Sequence, residues 1–393
     1  MSNLPASPPR RGAIPRLSQF ALDHLLLLPL GAAIALAWVN FSAESYYTFT
    51  YRISFAVNDV AMVFFFALMT KEVVEATLPG GELHSWRRVL LPVVAAVGAT
   101  TVSALVYVWA VNRLEEPMLG VGWPVALATD IAVSYLVARL IFRRHSSAIP
   151  FLLLLAIASD VLGFVALAAF DQARESNPVI GSIVVGVAIL LAYGLRRSGV
   201  KSFWLYLLGP GAVSWWGLFS SGLHPALALV PIIPFLPHVR RDPGFLVDAQ
   251  STAHDALSQF EIWWRYPAHV TLFFFGLVNA GVPLHALEPG TWAMLIAALV
   301  GKPLGVLLAV GAAVAAGLHL PRHVGWRELL VIGLTAAIGF SIGLFMTTAL
   351  LTVGQLRSET SMGVLLTLVA APLAFIVAKL LRVGRFAVAA SSR

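Results

Sequence analysis

Three ionisable side chains sit inside long apolar runs of this sequence, where a charge has no water to solvate it. Asp160, preceded by Ser159, stands at the middle of Phe151 to Phe170 (FLLLLAIASDVLGFVALAAF). That run is about twenty residues, long enough to cross a bilayer as a helix. Asp130 follows Thr129 in WPVALATDIAVS, and Lys302 lies in GKPLGVLLAV. An ionised Asp at the centre of a membrane helix costs roughly 2.5–3.5 kcal/mol on insertion scales. Such a residue faces a water-filled cavity or a partner, and it marks an ion or proton path. The chemistry on offer is reversible binding of a proton or a small cation by oxygen ligands. No HExxH zinc pattern and no phosphate-cradling GxxxxGK[ST] loop occurs, so catalysis by those routes has no support.

Two roles are open for each of these residues. Asp130 lies between two apolar half-spans. It either neutralises the positive ends of interrupted half-helices, each carrying about half a unit charge, or binds an ion directly. Lys302, flanked by Gly301 and Pro303, is too far from any loop to snorkel. It either compensates half-helix C-termini or a carboxylate, or it carries a proton. The run Leu334 to Met346 (LTAAIGFSIGLFM) places glycines inside an apolar stretch. They are packing glycines, or they mark an unwound segment at Gly339, Phe340 and Ser341 whose carbonyls line a cavity. Lys71, Glu72 and Glu75 have the spacing of intrahelical pairs, with an ion funnel or a pH response as the alternative for the two glutamates. Asp59, after Asn58, reads as a solvated or capping residue at the start of a span. His224 (SGLHPAL) and His269 read as interior histidines, and His224 is kept as a candidate for a pH response.

The elements that must hold these residues are membrane helices. Of the 393 residues 59% are hydrophobic and only 11% charged, far below the quarter or so that soluble domains carry. No polar stretch is long enough for a large soluble domain. Apolar windows predict about twelve spans, centred on Leu27, Phe66, Ala99, Asp130, Asp160, Val187, Gly211, Ala228, Phe275, Leu299, Gly339 and Leu373. The Gly211 and Ala228 windows are short and rich in Gly and Pro. The expected organisation is a cytoplasmic tail over 1–20, one transmembrane domain over 21–384 opening on an uncleaved first helix, and a cytoplasmic tail over 385–393. The absence of cysteine excludes disulfides, thiolate metal sites and thiol catalysis.

The net charge of +7 comes from basic residues in short loops between spans, which is a topology signal and not a nucleic-acid footprint. One side receives Arg10, Arg11, Arg16, Arg87, Arg88, Arg143, Arg144, Arg196, Arg197, Lys201, Arg240, Arg241, Arg322, Arg327, Arg382 and Arg385. The other receives Arg52, Arg113, Arg174 and Arg357, with Glu115, Glu116, Asp171 and Glu175. The positive-inside rule then predicts both termini in the cytoplasm.

In order along the chain, VNDVAMVFFF, LPVVAAVGA, GWPVALATDIA, LLLLAIASD, SGLHPALA, GLVNAGVPL, GKPLGV and IGFSIGLF make the sequence resemble the NhaA family of sodium/proton antiporters. Each stretch alone is weak; the ordered set from about Asn58 to Met346 is specific. The resemblance implies an all-α polytopic fold of about twelve helices, with inverted repeats and two discontinuous helices. That architecture is one for which NhaA itself is a standard example. By position it implies that Asp130 balances half-helix N-termini and Lys302 the C-termini. It further implies that Asp160 binds Na+ or Li+ and exchanges it for H+, with the Thr129 hydroxyl beside the site. It implies a homodimer in a bacterial inner membrane and calls for no cofactor. The sequence departs from the family where two adjacent aspartates are usual and Ser159-Asp160 stands instead, and where the acidic pair of the second helix is spaced three apart (Glu72, Glu75) in place of four.

The expected activity is secondary antiport by alternating access, pH homeostasis being its cellular use. If Lys302 stays protonated, the single Asp160 gives one-for-one, electroneutral exchange; if Lys302 titrates, two protons move. The alternatives are a drifted antiporter for K+ or another cargo, and a non-transporting sensor or scaffold. An enzyme has the least support, since no nucleophile–base or metal constellation is visible.

Overall fold

The computed structural model describes residues 27–77, 86–142, 146–170, 178–221, 223–237, 255–321, 324–351 and 354–387. Those residues are helical or irregular, with no β-strand among them. In chain order the main helices are α1 (Leu27–Phe41), α2 (Ala43–Phe55), α3 (Met62–Thr77), α4 (Trp86–Arg113), α5 (Ile131–Ile141), α6 (Ala148–Phe170), α7 (Pro178–Arg197) and α8 (Ala212–Ser221). They continue with α9 (Ala256–Asn279), α10 (Pro289–Ile296), α11 (Lys302–Ala315), α12 (Trp326–Ala336), α13 (Phe340–Leu350), α14 (Gln355–Leu366) and α15 (Ala370–Leu380). Six uninterrupted runs are long and apolar enough to cross a membrane: Ala43–Lys71, Val89–Arg113, Ala148–Leu167, Val179–Arg197, Pro289–Ala315 and Gln355–Phe386. Two further spans are broken pairs. The tight 3-10 helix Pro117–Leu127 meets α5 at a 57° bend, and α12 meets α13 at 45°.

Proline explains most departures from regular helix. Pro210 and Pro303 lack the N–H that the i→i−4 ladder needs, and π-helical segments lie at Leu207–Gly211 and Ala297–Gly301, the second ending two residues before Pro303. The window around Ala228 is not a helix. Pro225, Pro231, Pro234 and Pro237 recur too often for one, and the chain forms 3-10 turns at Pro225–Leu227 and Ile233–Phe235. It is buried all the same, since Ala226, Ala228, Ile232, Ile233 and Leu236 are inaccessible.

A second difference concerns Asp59. It does not start a span but lies in the π-helical segment Ala56–Ala61, inside the helical run that α2 begins at Ala43. The polar sequence of α2 (AESYYTFTYRISF) hides this continuity from hydropathy, although nothing in it breaks a helix. Of the basic loop residues, 10, 11, 16, 143, 144, 174, 240, 241 and 322 lie outside the described residues, as do 1–20 and most of the C-terminal tail.

Because lipid drives helices apart no more than together, the bundle relies on close contact at small residues. α4 and α11 touch backbone to backbone at Gly98 and Gly305, where an added Cβ on Gly305 would lie 2.2 Å from the Gly98 carbonyl oxygen. We expect Gly305→Val to lower stability by about 1–3 kcal/mol, read as a reduced melting midpoint of the detergent-solubilised protein, with Leu304→Val, on the exposed side of α11, as the control that stays within error.

Candidate ion-binding site at the two helix breaks

Both broken spans unwind for three residues, at Ala128 to Asp130 and at Ala337 to Gly339. A helix interrupted in hydrocarbon leaves N–H and C=O groups without partners, and each must be satisfied inside the protein. Here the breaks satisfy one another. The Asp130 backbone N–H donates to the Ile338 carbonyl at 2.6 Å, and Ser134 Oγ donates to the Thr335 carbonyl at 2.9 Å. Gly339 permits the approach: a Cβ there would stand 2.8 Å from the Ala128 carbonyl oxygen. Its own N–H donates to Thr367 Oγ1 at 3.1 Å.

Two charges complete the closure. The Asp130 carboxylate caps both N-terminal half-helix ends, accepting from Val133 N–H of α5 on Oδ1 and from Ser341 N–H of α13 on Oδ2, each at 2.9 Å. Lys302 caps both C-terminal ends, its Nζ donating to the Ala128 carbonyl after the first half-span and to the Ala336 carbonyl of α12. Nζ also donates to Thr129 Oγ1 at 3.1 Å. Asp130 and Thr129 are wholly buried and Lys302 is 1% exposed. A negative group at N-termini and a positive one at C-termini match the helix dipoles.

Asp160 approaches this crossing from α6. The Thr129 backbone N–H and the charges of Lys302 and Asp130 all act on its carboxylate. Lys302 makes no ion pair with it, being turned to the helix-end carbonyls. Asp160 Oδ1 and the neighbouring Ser159 Oγ are buried without a hydrogen-bond partner among the described residues. Orphaned buried oxygens are rare and need an explanation. A carboxylate oxygen and a hydroxyl oxygen on consecutive residues are donor atoms that suit a proton or a hard monovalent cation.

The crossing therefore gathers Asp160, Ser159, Thr129, Asp130, Lys302, Gly339, Phe340 and Ser341. The letters Gly339 to Gly343 (GFSIG) also spell a nucleophile-elbow pattern, but no strand precedes Ser341 and the segment opens a membrane helix. Glu75 bonds to Lys71, and His224 to Ala226 and the Phe345 ring, none of them a residue of the crossing. His224 caps a 3-10 turn, its Nδ1 accepting from Ala226 N–H at 3.3 Å, and its ring lies 4.6 Å from that of Phe345. The Glu72 side chain lies outside the described residues.

Glu75 has the i, i+4 bridge to Lys71 that its spacing predicts, at 2.7 Å. Sequence reading missed the third member: Lys71 Nζ also reaches Glu261 of α9 at 2.6 Å, across 190 residues, with all three side chains buried. It missed as well the reciprocal amide pair of Asn58 and Asn279, at 2.8 and 3.1 Å, which ties the π-helical segment to the end of α9. A polar residue at membrane depth was the only available signal for either. Among the described residues no group of three His, Cys, Asp or Glu is placed to hold a metal.

Abutting discontinuous helices closed by opposite charges, around one carboxylate in a polytopic α-bundle, define the class of ion-coupled secondary transporters. Within that class the chain belongs to the Na+/H+ antiporter 1 family, whose sequence profile matches residues 23–379. It is 38% identical over 375 residues to a Na+/H+ antiporter NhaA of Desulfitobacterium hafniense, covering 93% of this chain and 96% of that one. It is also 38% identical over 364 residues to a Na+/H+ antiporter NhaA of Geobacter metallireducens, covering 90% and 95%. Its fold resembles that of the sodium proton antiporter MjNhaP1 from Methanocaldococcus jannaschii solved at pH 8, with a TM-score of 0.58, 16% identity and 92% of each chain covered.

Two stability predictions follow from the buried charges. Asp130→Ala should cost roughly 3–5 kcal/mol, because it strands Lys302 and two helix N-termini together. Asp130→Asn, which keeps one acceptor oxygen, should cost visibly less; the two melting midpoints compare them. Lys71→Met leaves Glu75 and Glu261 without the ammonium they share and should cost about 3 kcal/mol. If that loss comes from carboxylate repulsion, the double variant Lys71→Met, Glu261→Gln recovers part of it.

Proposed function

We propose that the chain exchanges sodium for protons across the membrane by alternating access, with Asp160 as the group for which the two ions compete. The observation that carries this is the pair of unpartnered buried oxygens, Asp160 Oδ1 and Ser159 Oγ, beside a lysine already engaged by helix carbonyls. Sodium and lithium are hard cations that take such oxygen ligands, and the Thr129 hydroxyl lies at the same crossing. An ionised Asp160 is costly to occlude, so the carrier crosses only when a proton or a cation neutralises it. Competition for one carboxylate couples the two fluxes without another energy source.

The same geometry favours electroneutral exchange. Asp130 and Lys302 offset one another, so the charge of the occluded site is that of Asp160 and its ligand. One sodium or one proton brings that charge to zero. Lys302 acts as a fixed cation that closes the helix ends and does not carry a second proton. The pH response stays with Glu75, Glu72 and His224. In the expected orientation both termini face the cytoplasm of a bacterial inner membrane, and the homodimer implied by the family resemblance belongs to the same reading.

Everted vesicles with a pH-sensitive dye test it. Wild type should dissipate the proton gradient on addition of sodium or lithium, and Asp160→Asn should abolish the response. A response to potassium alone would favour a drifted cargo, and full activity in Asp160→Asn would point to a sensor or scaffold. In proteoliposomes at clamped voltage, wild-type exchange should be indifferent to membrane potential. Ser159→Asp should make it voltage-dependent by restoring a second carboxylate. A wild-type rate that follows the potential would overturn the electroneutral reading.

A further inference from the structure

A second polar site lies away from the crossing, at the end of the bundle where α1 turns into α2. A cavity of about 500 Å³ opens there between α2, the chain after α9 and the start of α14. Its lining includes Tyr46, Tyr47, Tyr51, Arg357, Ser358 and Ser361; among the described residues it contains no carboxylate, and the ionised group facing it is the half-buried guanidinium of Arg357. Among the described residues Arg357 has no salt bridge; its nearest electrostatic neighbours are the Tyr46 and Tyr47 phenols. Three further features point the same way. α14 is twelve residues long and is preceded at its N-cap position by Gly354, which lines the cavity and offers no side-chain cap to the first N–H groups. Ser361, 2% exposed, lines the cavity with a hydroxyl that has no hydrogen-bond partner among the described residues. The Tyr47 and Tyr51 hydroxyls are also uncommitted, whereas Tyr46 OH is held by the Leu277 and Val278 carbonyls and by Gly281 N–H.

From this geometry we infer that the cavity is a binding site for a phosphate-type oxyanion, held by Arg357, Ser361 and the amino end of α14. Among the described residues, the uncommitted polar side chains facing the cavity can all donate a hydrogen bond, and the formal charge there is positive. A guanidinium matches two oxygens of such an anion at once, and a helix N-terminus adds N–H donors and dipole. Tyr47 and Tyr51, 48% and 85% exposed, stand at the rim with amphipathic rings, as side chains do at a membrane interface. The anion is therefore carried on a phospholipid headgroup or arrives as free phosphate, and both present the same oxygens. The site is independent of the exchange point: none of its residues touches Asp160, Asp130 or Lys302.

Thermal melting of the full chain in detergent tests the assignment, in sodium-free potassium buffers so that the exchange site does not contribute. Wild type is titrated separately with inorganic phosphate, against chloride at equal ionic strength, and with phosphatidylglycerol in mixed micelles. At least one source should raise the melting midpoint by several degrees and so identify which carries the anion. Arg357→Gln should weaken the response about tenfold or more, as loss of a charged hydrogen bond does. Arg357→Lys should retain part of it, and Ser361→Ala should weaken it less than Arg357→Gln. Sodium/proton exchange should persist in all three variants. The proposal fails if neither source shifts the wild type, or if Arg357→Gln responds as wild type does.

Discussion

A helix cannot be cut inside a membrane without leaving backbone groups that lipid will not solvate, and this chain cuts two. The structure answers by setting the cuts against each other. Asp130 takes the N–H groups of both second halves and Lys302 takes the carbonyls of both first halves. Each charge is bound by two helix ends, and each helix end by a charge. Everything nearby serves this closure: Gly339 for the close approach, Ser134 and Thr367 for remaining backbone groups, Pro303 with its π-helical segment just ahead of it for the placing of Lys302.

Function depends on what the closure leaves over. The charges of Asp130 and Lys302 are taken up by backbone, whereas Asp160 retains a carboxylate oxygen without a hydrogen-bond partner among the described residues. A second aspartate at position 159 would compete for Lys302 and draw it from the Ala128 and Ala336 carbonyls. With the neutral Ser159 beside Asp160, the lysine donates to the helix ends. Engaged by the Ala128 and Ala336 carbonyls, Lys302 is not left as an unpartnered buried cation.

The remaining polar contacts at depth are ties between helices distant in sequence. Lys71 joins Glu75 to Glu261, and Asn58 pairs with Asn279, so the run from α2 to α3 is fastened to α9 twice. Small residues let α4 lie directly against α11 and so bring Lys302 to the crossing. A transporter that must rearrange gains from such discrete, polar fastenings, since they can break and re-form as units while apolar packing slides.

The amino-acid sequence by itself determined the class of molecule, the likeness to its family and the identity of the crossing residues. Those properties rest on local composition and motif: an apolar window shows its length, and a lone Asp or Lys within it shows its cost. Hydropathy was misled where the signal was weak, as in the polar helix α2 that carries Asp59 into mid-span and the proline-rich turns around Ala228. Tertiary structure alone decided the partners. Nothing in the sequence says that Lys302 turns to Ala128 and Ala336 in place of Asp160, that Glu261 completes the Lys71 bridge, or that Arg357 faces a cavity without a carboxylate. The reason is physical: a buried charge is satisfied by whatever donor or acceptor packing brings within about 3 Å, and packing joins residues that lie far apart in the chain.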